Sequence, residues 1–247
     1  MSLSAILITK NEEANIGACL ESVAFADEII VVDSGSTDVT VEIAERFGAK
    51  VVTAADWPGF GVQKQRALDL ATSDWVLSID ADERIPDALR VQIMAAMADG
   101  ACMGYRLNRL SWFLGQPMRH GGWHPDRVLR LARRAEAQFS SDIVHERLLV
   151  EGPVGDLAEP MLHYSYTSVD DVLRKMRTYA LASAAQRRGR GVRGGLGVAL
   201  ARSLFGFLKA YVLKAGFLDG RRGFVAATFK AQETFWRYIA AGWEGEP

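Results

Sequence analysis

The sequence predicts an α/β fold: a mixed, mostly parallel sheet flanked by helices, with a helical appendage at its C-terminal end. Two patterns predict the sheet. Apolar runs alternate with amphipathic stretches from residue 3 to residue 79, and the runs carry almost no charge, as strands buried on both faces do. Each run stops at a cluster of acids or hydroxyls, the edge at which open α/β sheets bind ligands. A third pattern sets the appendage apart. Residues 1–169 hold 15 Lys and Arg against 24 Asp and Glu (−9), whereas 170–247 hold 14 against 6 (+8). The expected division is residues 1–167 and 168–247.

Leu3 to Thr9 is the first strand. Lys10-Asn11-Glu12-Glu13 then opens a helix with Ile16, Leu20 and Val23 inward and Asn11 as its N-cap. Glu28 to Val32 is the second strand, followed by Asp33-Ser34-Gly35-Ser36-Thr37-Asp38. Ser36 or Thr37 caps the next helix, which ends at Gly48. Lys50 to Thr53 is a short third strand, and a helix follows from about Val62 to Ala71. Trp75 to Ile79 is the fourth strand. Beyond it, residues 103–165 read as mixed strands and loops. The chain of 247 residues is 49 % apolar and 24 % charged, an ordinary globular balance. Cys19 and Cys102 read as small buried hydrophobes in a reducing compartment, without zinc spacing. Met1-Ser2-Leu3-Ser4 has no basic region or cleavage site, so no signal peptide is expected.

The fourth strand ends in Asp80-Ala81-Asp82-Glu83. In an extended strand end, Asp80 and Asp82 leave on one face and repel each other unless a cation sits between them or one binds a proton. A hard divalent ion, Mg²⁺ or Mn²⁺, suits such a pair and commonly brings a phosphate. The acidic rim needs that ion, or a donor such as Lys64 or Arg66, to hold a phosphate. The first turn lacks Gly-x-Gly-x-x-Gly, and no Gly-x-x-x-x-Gly-Lys-[Ser/Thr] occurs, which argues against a dinucleotide site and a P-loop.

Ile8-Thr9-Lys10-Asn11-Glu12-Glu13, Val31-Val32-Asp33-Ser34-Gly35-Ser36-Thr37-Asp38 and Ile79-Asp80-Ala81-Asp82-Glu83, in that order and spacing, resemble family 2 of the inverting glycosyltransferases, with the GT-A fold. The resemblance covers residues 1–165 and implies a nucleotide-diphospho-sugar donor. It places Thr9, Glu12 and Asp33 at the nucleoside base, Asp80 at the ribose and the metal, and Asp82 as the ligand of a divalent metal (Mn²⁺ or Mg²⁺) on the diphosphate. It puts Lys64 where a basic residue approaches the nucleotide.

An inverting transfer needs one base to take the acceptor hydroxyl's proton. Asp142-Ile143-Val144-His145-Glu146-Arg147 resembles the segment that carries this acid in small bacterial members. Glu146 is the favoured base and His145 its neighbour toward acceptor or phosphate, with Asp142 the third contender. His163 reads as a core histidine that could also approach the metal or the diphosphate. The aromatics Trp112, Phe113 and Trp123 fit sugar stacking and local core equally well.

Residues 168–188 make a helix capped by Ser168, with Leu173, Met176, Tyr179, Ala180 and Ala184 inward. Leu196 to Phe217 is apolar enough to suggest a membrane span, but Arg202, Lys209 and Lys214 interrupt it, so an amphipathic interfacial helix fits better. A second helix runs from Phe224 to Ala240. No nucleic-acid-reading motif is present, and most of the chain is acidic. The tail's Phe217-Leu218-Asp219-Gly220-Arg221-Arg222-Gly223-Phe224, with the acidic motif and Val144-His145-Glu146, is similar to the lipopolysaccharide inner-core glucosyltransferases. That implies a UDP-sugar donor, glucose transfer to heptose of a lipid-linked saccharide, and a cytoplasmic enzyme peripheral at the inner face of the bacterial inner membrane. The competing readings are transfer to polyprenyl phosphate and a non-catalytic nucleotide-sugar-binding module.

Overall fold

The computed structural model of the chain describes residues 1–140, 146–191 and 194–243. It divides into two compact units, residues 1–109 with 126–163 and residues 110–125 with 164–247. These units cut the chain elsewhere than a boundary at residue 167 does, because 110–125 groups with the C-terminal helices.

The first unit is built on β1 (Leu3–Thr9), β2 (Glu28–Asp33), β3 (Lys50–Thr53) and β4 (Trp75–Ser78), all parallel. Between them lie α1 (Ile16–Ser22), α2 (Thr40–Arg46) and α3 (Phe60–Asp69). After β5 (Glu83–Arg84) and α4 (Asp87–Asp99) come β6 (Gly104–Phe113), β7 (Gln116–Pro117), β8 (Arg127–Arg133), β9 (Ala137–Phe139), β10 (Leu148–Val150) and β11 (Val154–Tyr166). The main sheet has the order β3-β2-β1-β4-β8-β6-β11-β5, with β7 paired to β6. From β4 to β8 the pairing turns antiparallel. β9 and β10 form a separate hairpin pair.

The period-two alternation of β1 explains why both faces of the sheet are covered. Leu3, Ala5 and Leu7 join one core with Ile16, Leu20, Val31, Trp75, Leu77 and Ile93. Ile6 points the other way, into a second core with Ile30, Val32, Ala67, Leu68 and Val76. Cys19 is buried in the first core, and Cys102 is partly buried beside it.

Two helix starts differ from expectation. α1 begins at Ile16, and Asn11 does not cap it. Asn11 adopts a left-handed φ of 55°, and its Oδ1 accepts the Thr37 N–H at 2.8 Å. Neither Ser36 nor Thr37 caps α2, which begins at Thr40. Instead Ser36 Oγ accepts the Asn11 N–H, Thr40 Oγ1 accepts the Glu12 N–H and Asp38 Oδ2 accepts the Glu13 N–H. The polar residues that looked like caps stitch the two strand-end loops together.

In the second unit, α5 (Val169–Gly189) is capped as expected, with Ser168 Oγ accepting the Asp171 N–H at 3.1 Å. Along this helix, Ala180 and Ala184 are buried and Met176 packs on the core as expected, whereas Leu173 and Tyr179 are exposed and Val172 is buried in their place. The small side chains let it approach α7 (Gly220–Trp243), where Ala184 packs on Ala240 and Ala241. α6 (Leu196–Leu208) continues as a π-type turn over Lys209–Leu213, and a 3₁₀ turn (Gly216–Asp219) leads into α7. The segment 110–125 is local core here: Phe113 is buried with Met118, Val172, Ala226 and Phe229, and Trp123 packs on them. Buried Asp219 accepts the backbone N–H groups of Arg119 and His120 and pairs with His120 Nδ1 at 2.9 Å.

Candidate active site

Every described residue discussed in this site belongs to the first unit. The register sets Thr9, Asp33 and Thr53 level at the ends of β1, β2 and β3. Asp33 is buried, and its carboxylate closes its own turn. Oδ2 accepts the N–H groups of Gly35 and Ser36 at 2.9 Å each, and Oδ1 accepts Ser36 Oγ at 2.5 Å. Gly35 takes φ 83°, a conformation open to glycine at little cost. Thr9 Oγ1 is buried without a hydrogen-bond partner, a state that calls for an explanation in a native site. Glu12 Oε2 accepts Asn15 Nδ2 at 2.9 Å.

Gln63 fastens the start of α3 to this edge. Its Nε2 donates to Ser34 Oγ, Ala54 O and Asp56 O at 2.9–3.1 Å. The next residue, Lys64, is thereby delivered to the acidic motif. Its buried Nζ lies 2.9 Å from Oδ1 of Asp80 and 2.9 Å from Oε1 of Glu146. The other oxygen of Asp80 meets Arg130 Nη2 at 2.5 Å, and the same Nη2 reaches Oε1 of Glu83 at 2.7 Å. Arg109 Nη1 stands 3.6 Å from that Glu83 oxygen, and its Nη2 pairs with Asp126 at 2.7 Å. Opposite charges therefore alternate from Glu146 through Lys64, Asp80, Arg130, Glu83 and Arg109 to Asp126.

Desolvation pushes the Asp80 carboxyl up, but Arg130 and then Lys64 outweigh it and hold it well below the usual carboxylate range. Burial alone would lower the Arg130 pKa, but Asp80 and Glu83 raise it above its ordinary value, so both members of the pair stay charged. Burial pushes the Cys19 thiol up, and its Sγ contacts the Asp80 carbonyl at 3.4 Å, so it serves as packing.

Glu83 is fully buried in β5, where its Oε2 accepts the Asp80 N–H at 3.0 Å. β5 pairs with β11 so that Glu83 faces His163 in register. His163 Nε2 is 3.4 Å from Oδ2 of Asp82.

Among the described residues no three His, Cys, Asp or Glu side chains converge as a closed metal site. Asp82 and His163 fit a different kind of site, one in which a hard cation takes one or two protein ligands and completes its shell with phosphate oxygens and water. Asp80 is already matched by two protein cations.

Of the residues the sequence singles out, Lys64 contacts both Asp80 and Glu146, Asp82 pairs with His163, and Thr9 and Asp33 stand level at neighbouring strand ends with Glu12 in the loop after β1. His145 and Asp142 lie outside the described residues. Arg130, Arg109 and the part played by Glu83 were missed. A signal for Arg130 existed: it is a charge inside the apolar run Val128-Leu129-Arg130-Leu131, and a buried charge requires a partner.

Residues 4–142 match the family described as Glycosyl transferase family 2. Over 95 % of its length the chain is 32 % identical to the lipopolysaccharide core biosynthesis glycosyltransferase LpsC of Rhizobium meliloti (strain 1021), of which it spans 90 %. Among solved structures, it is similar to the mannosyltransferase PcManGT of Pyrobaculum calidifontis, solved in complex with GDP-Man and Mn²⁺. The TM-score is 0.58 at 15 % identity, covering 99 % of this chain and 88 % of that one. It is also similar to residues 1–349 of S. aureus TarS, with a TM-score of 0.51 at 18 % identity over 98 % and 83 %. At these identities the likeness is one of fold, the GT-A arrangement of a mixed, mostly parallel sheet flanked by helices.

Proposed function

The chain belongs to glycosyl transferase family 2, and on that premise we propose that it transfers glucose from UDP-glucose, with inversion, to a hydroxyl of a lipid-linked saccharide, the inner-core heptose of a lipopolysaccharide. The motifs of the tail and the likeness to LpsC support the acceptor. The observation that carries the reading is the double contact of Lys64, 2.9 Å from Asp80 and 2.9 Å from Glu146. It joins the nucleotide side of the site to the only described contender for the base.

In this reading Thr9 presents its free hydroxyl to the nucleoside base, with Glu12 and Asp33 shaping the loop around it. Asp80, fixed by Arg130, receives the ribose hydroxyls. Lys64 turns toward the diphosphate when the donor arrives and leaves Glu146 free. Glu146 takes the proton from the acceptor hydroxyl as that oxygen attacks the anomeric carbon. The bond from that carbon to the diphosphate oxygen breaks, and its electrons leave with the nucleoside diphosphate. Asp82 and His163 are the residues that would hold Mn²⁺ or Mg²⁺, and a bound ion would neutralise charge on the departing diphosphate. Residues 1–167 supply the catalysis and 168–247 meet the inner face of the membrane that holds the acceptor.

The test is incubation with a panel of nucleotide-sugars and core-truncated lipopolysaccharide, read by mass spectrometry of the lipid. A gain of one hexose from UDP-glucose supports the proposal. Glu146→Gln should lower turnover by about 10²–10⁴-fold with UDP affinity kept. Undiminished turnover would instead point to an acceptor that is already ionised, such as polyprenyl phosphate.

A further inference from the structure

α6 is packed inside out for a helix in water. A helix on a water-facing surface turns its large apolar residues to the core. Here the side toward α7 is mostly small: Ala199 packs on Tyr238 and Ile239, Gly206 comes close enough that a Cβ there would lie 3.8 Å from Thr234 Oγ1, and Phe207 is the large exception, meeting Phe224 edge-on with ring centroids 5.6 Å apart. The large residues Leu196, Leu200, Leu204, Phe205, Leu208 and Val212 are 44–63 % exposed. Five of the six follow one another at intervals of four along the helix, a single stripe. The stripe runs on into Leu213, at 72 % the most exposed large apolar residue described. The corner that carries it is braced: the Lys214 carbonyl accepts the Gly121 N–H, Asp219 holds His120, and Arg222 donates to the Leu114 carbonyl. These side chains are therefore presented on a fixed support.

Charge identifies what covers the stripe. Residues 172–218 contain ten Lys and Arg and no Asp or Glu. Arg202, Lys209 and Lys214 are exposed beside the apolar stripe. A second copy would bring the same patch against itself, cation facing cation. An anionic bilayer surface satisfies both features at once. A transmembrane course does not fit. The apolar window Leu196–Leu213 contains Arg202 and Lys209, and α7 alongside carries Lys230, Glu233 and Arg237. Both ends of the window are also tied within the same unit, since Gly195 N–H donates to Tyr238 O and Lys214 O accepts from Gly121.

We infer that α6 and its corner lie in the plane of an anionic lipid surface, with the Leu196–Leu213 stripe in the acyl boundary and Arg202, Lys209 and Lys214 at the headgroups. This rests on the reading of a membrane-held acceptor and names the surface that reaches it.

The experiment is flotation of the full chain with phosphatidylglycerol–phosphatidylethanolamine vesicles and, separately, with phosphatidylcholine vesicles. Wild type should float with the first and not the second. Leu204→Glu/Leu208→Glu changes two exposed side chains, so circular dichroism and UDP binding should match wild type while the bound fraction falls about tenfold or more. Equal flotation of the variant, or no flotation of wild type, overturns the inference. So does a wild-type dimer in light scattering that the variant turns into a monomer, which would assign the stripe to a second copy. Resistance to alkaline carbonate extraction would assign it to a spanning helix and overturn it too. Failure of glycosyl transfer with normal flotation would remove the proposed reaction and leave this surface standing.

Discussion

Arg130 serves two carboxylates at once, and its loss isolates both. Arg130→Met would leave Glu83 fully buried without its closest cation and Asp80 with Lys64 alone. The expected drop in unfolding free energy is about 3–5 kcal/mol, read from the urea midpoint. Thr9 makes the opposite case. Its buried hydroxyl bonds to nothing, so Thr9→Val should leave urea stability within about 1 kcal/mol of wild type or raise it. If that oxygen meets the nucleoside, UDP affinity should fall several-fold in calorimetry. Unchanged affinity would remove Thr9 from the donor site. Single residues were the least legible level of the sequence. Asp80 and Glu146 stand out through the motifs they sit in, and Lys64 as a basic residue on the helix beside an acidic rim. Arg130 and Arg109 sit in strands that read as sheet filler, and their function comes from neighbours 47 and 26 residues away.

Elements were easier to read, because apolar runs bounded by polar clusters leave few alternatives. β1 and β3 begin and end where the sequence put them, and β4 ends one residue short. Helix starts failed where Asn11, Ser36 and Thr37 had a better use than capping. A side chain that can bond either its own helix or a neighbouring loop does not reveal which from sequence alone. At the N-terminus of α5 the local cap did win. Thr167 and Arg174 hydrogen-bond the Asp171 carboxylate and hold its pKa down to about 2. A depressed carboxylate stabilises the folded state fully above its unfolded value. This contribution should fade as pH falls from about 4 toward 2. Asp171→Asn should flatten the acid-unfolding slope in that window. The turn into α7 depends on close approach. A Cβ on Gly223 would lie 1.9 Å from the Gly216 carbonyl oxygen, so Gly223→Ala must displace the 3₁₀ turn. Its melting temperature should drop by several degrees, consistent with a loss of about 1–3 kcal/mol.

At the scale of the whole molecule, the charge asymmetry was visible at once, but the division into units was not. A composition shift marks where the chemistry changes, whereas a compact unit is defined by what packs together. Residues 110–125 are rich in Gly, aromatics and His but hold a single charged residue, Arg119, so the charge shift does not mark them, yet Phe113 and Met118 are buried with residues of α5 and α7. A chain stopped after residue 167 should therefore aggregate, its Phe113 cluster stripped of Val172, Ala226 and Phe229, even if its sheet forms; size-exclusion chromatography of that truncation is the check. The same arrangement bears on how the protein is made. Translation delivers His120 99 residues before the Asp219 that fixes it. Until that aspartate clears the ribosome, the 112–123 segment lacks this anchor, and Phe113 has Tyr166 and Val172 beside it but not Ala226 and Phe229. A pausing ribosome or a premature stop codon in this interval would expose a sticky nascent chain, because α7 completes the cover of this segment.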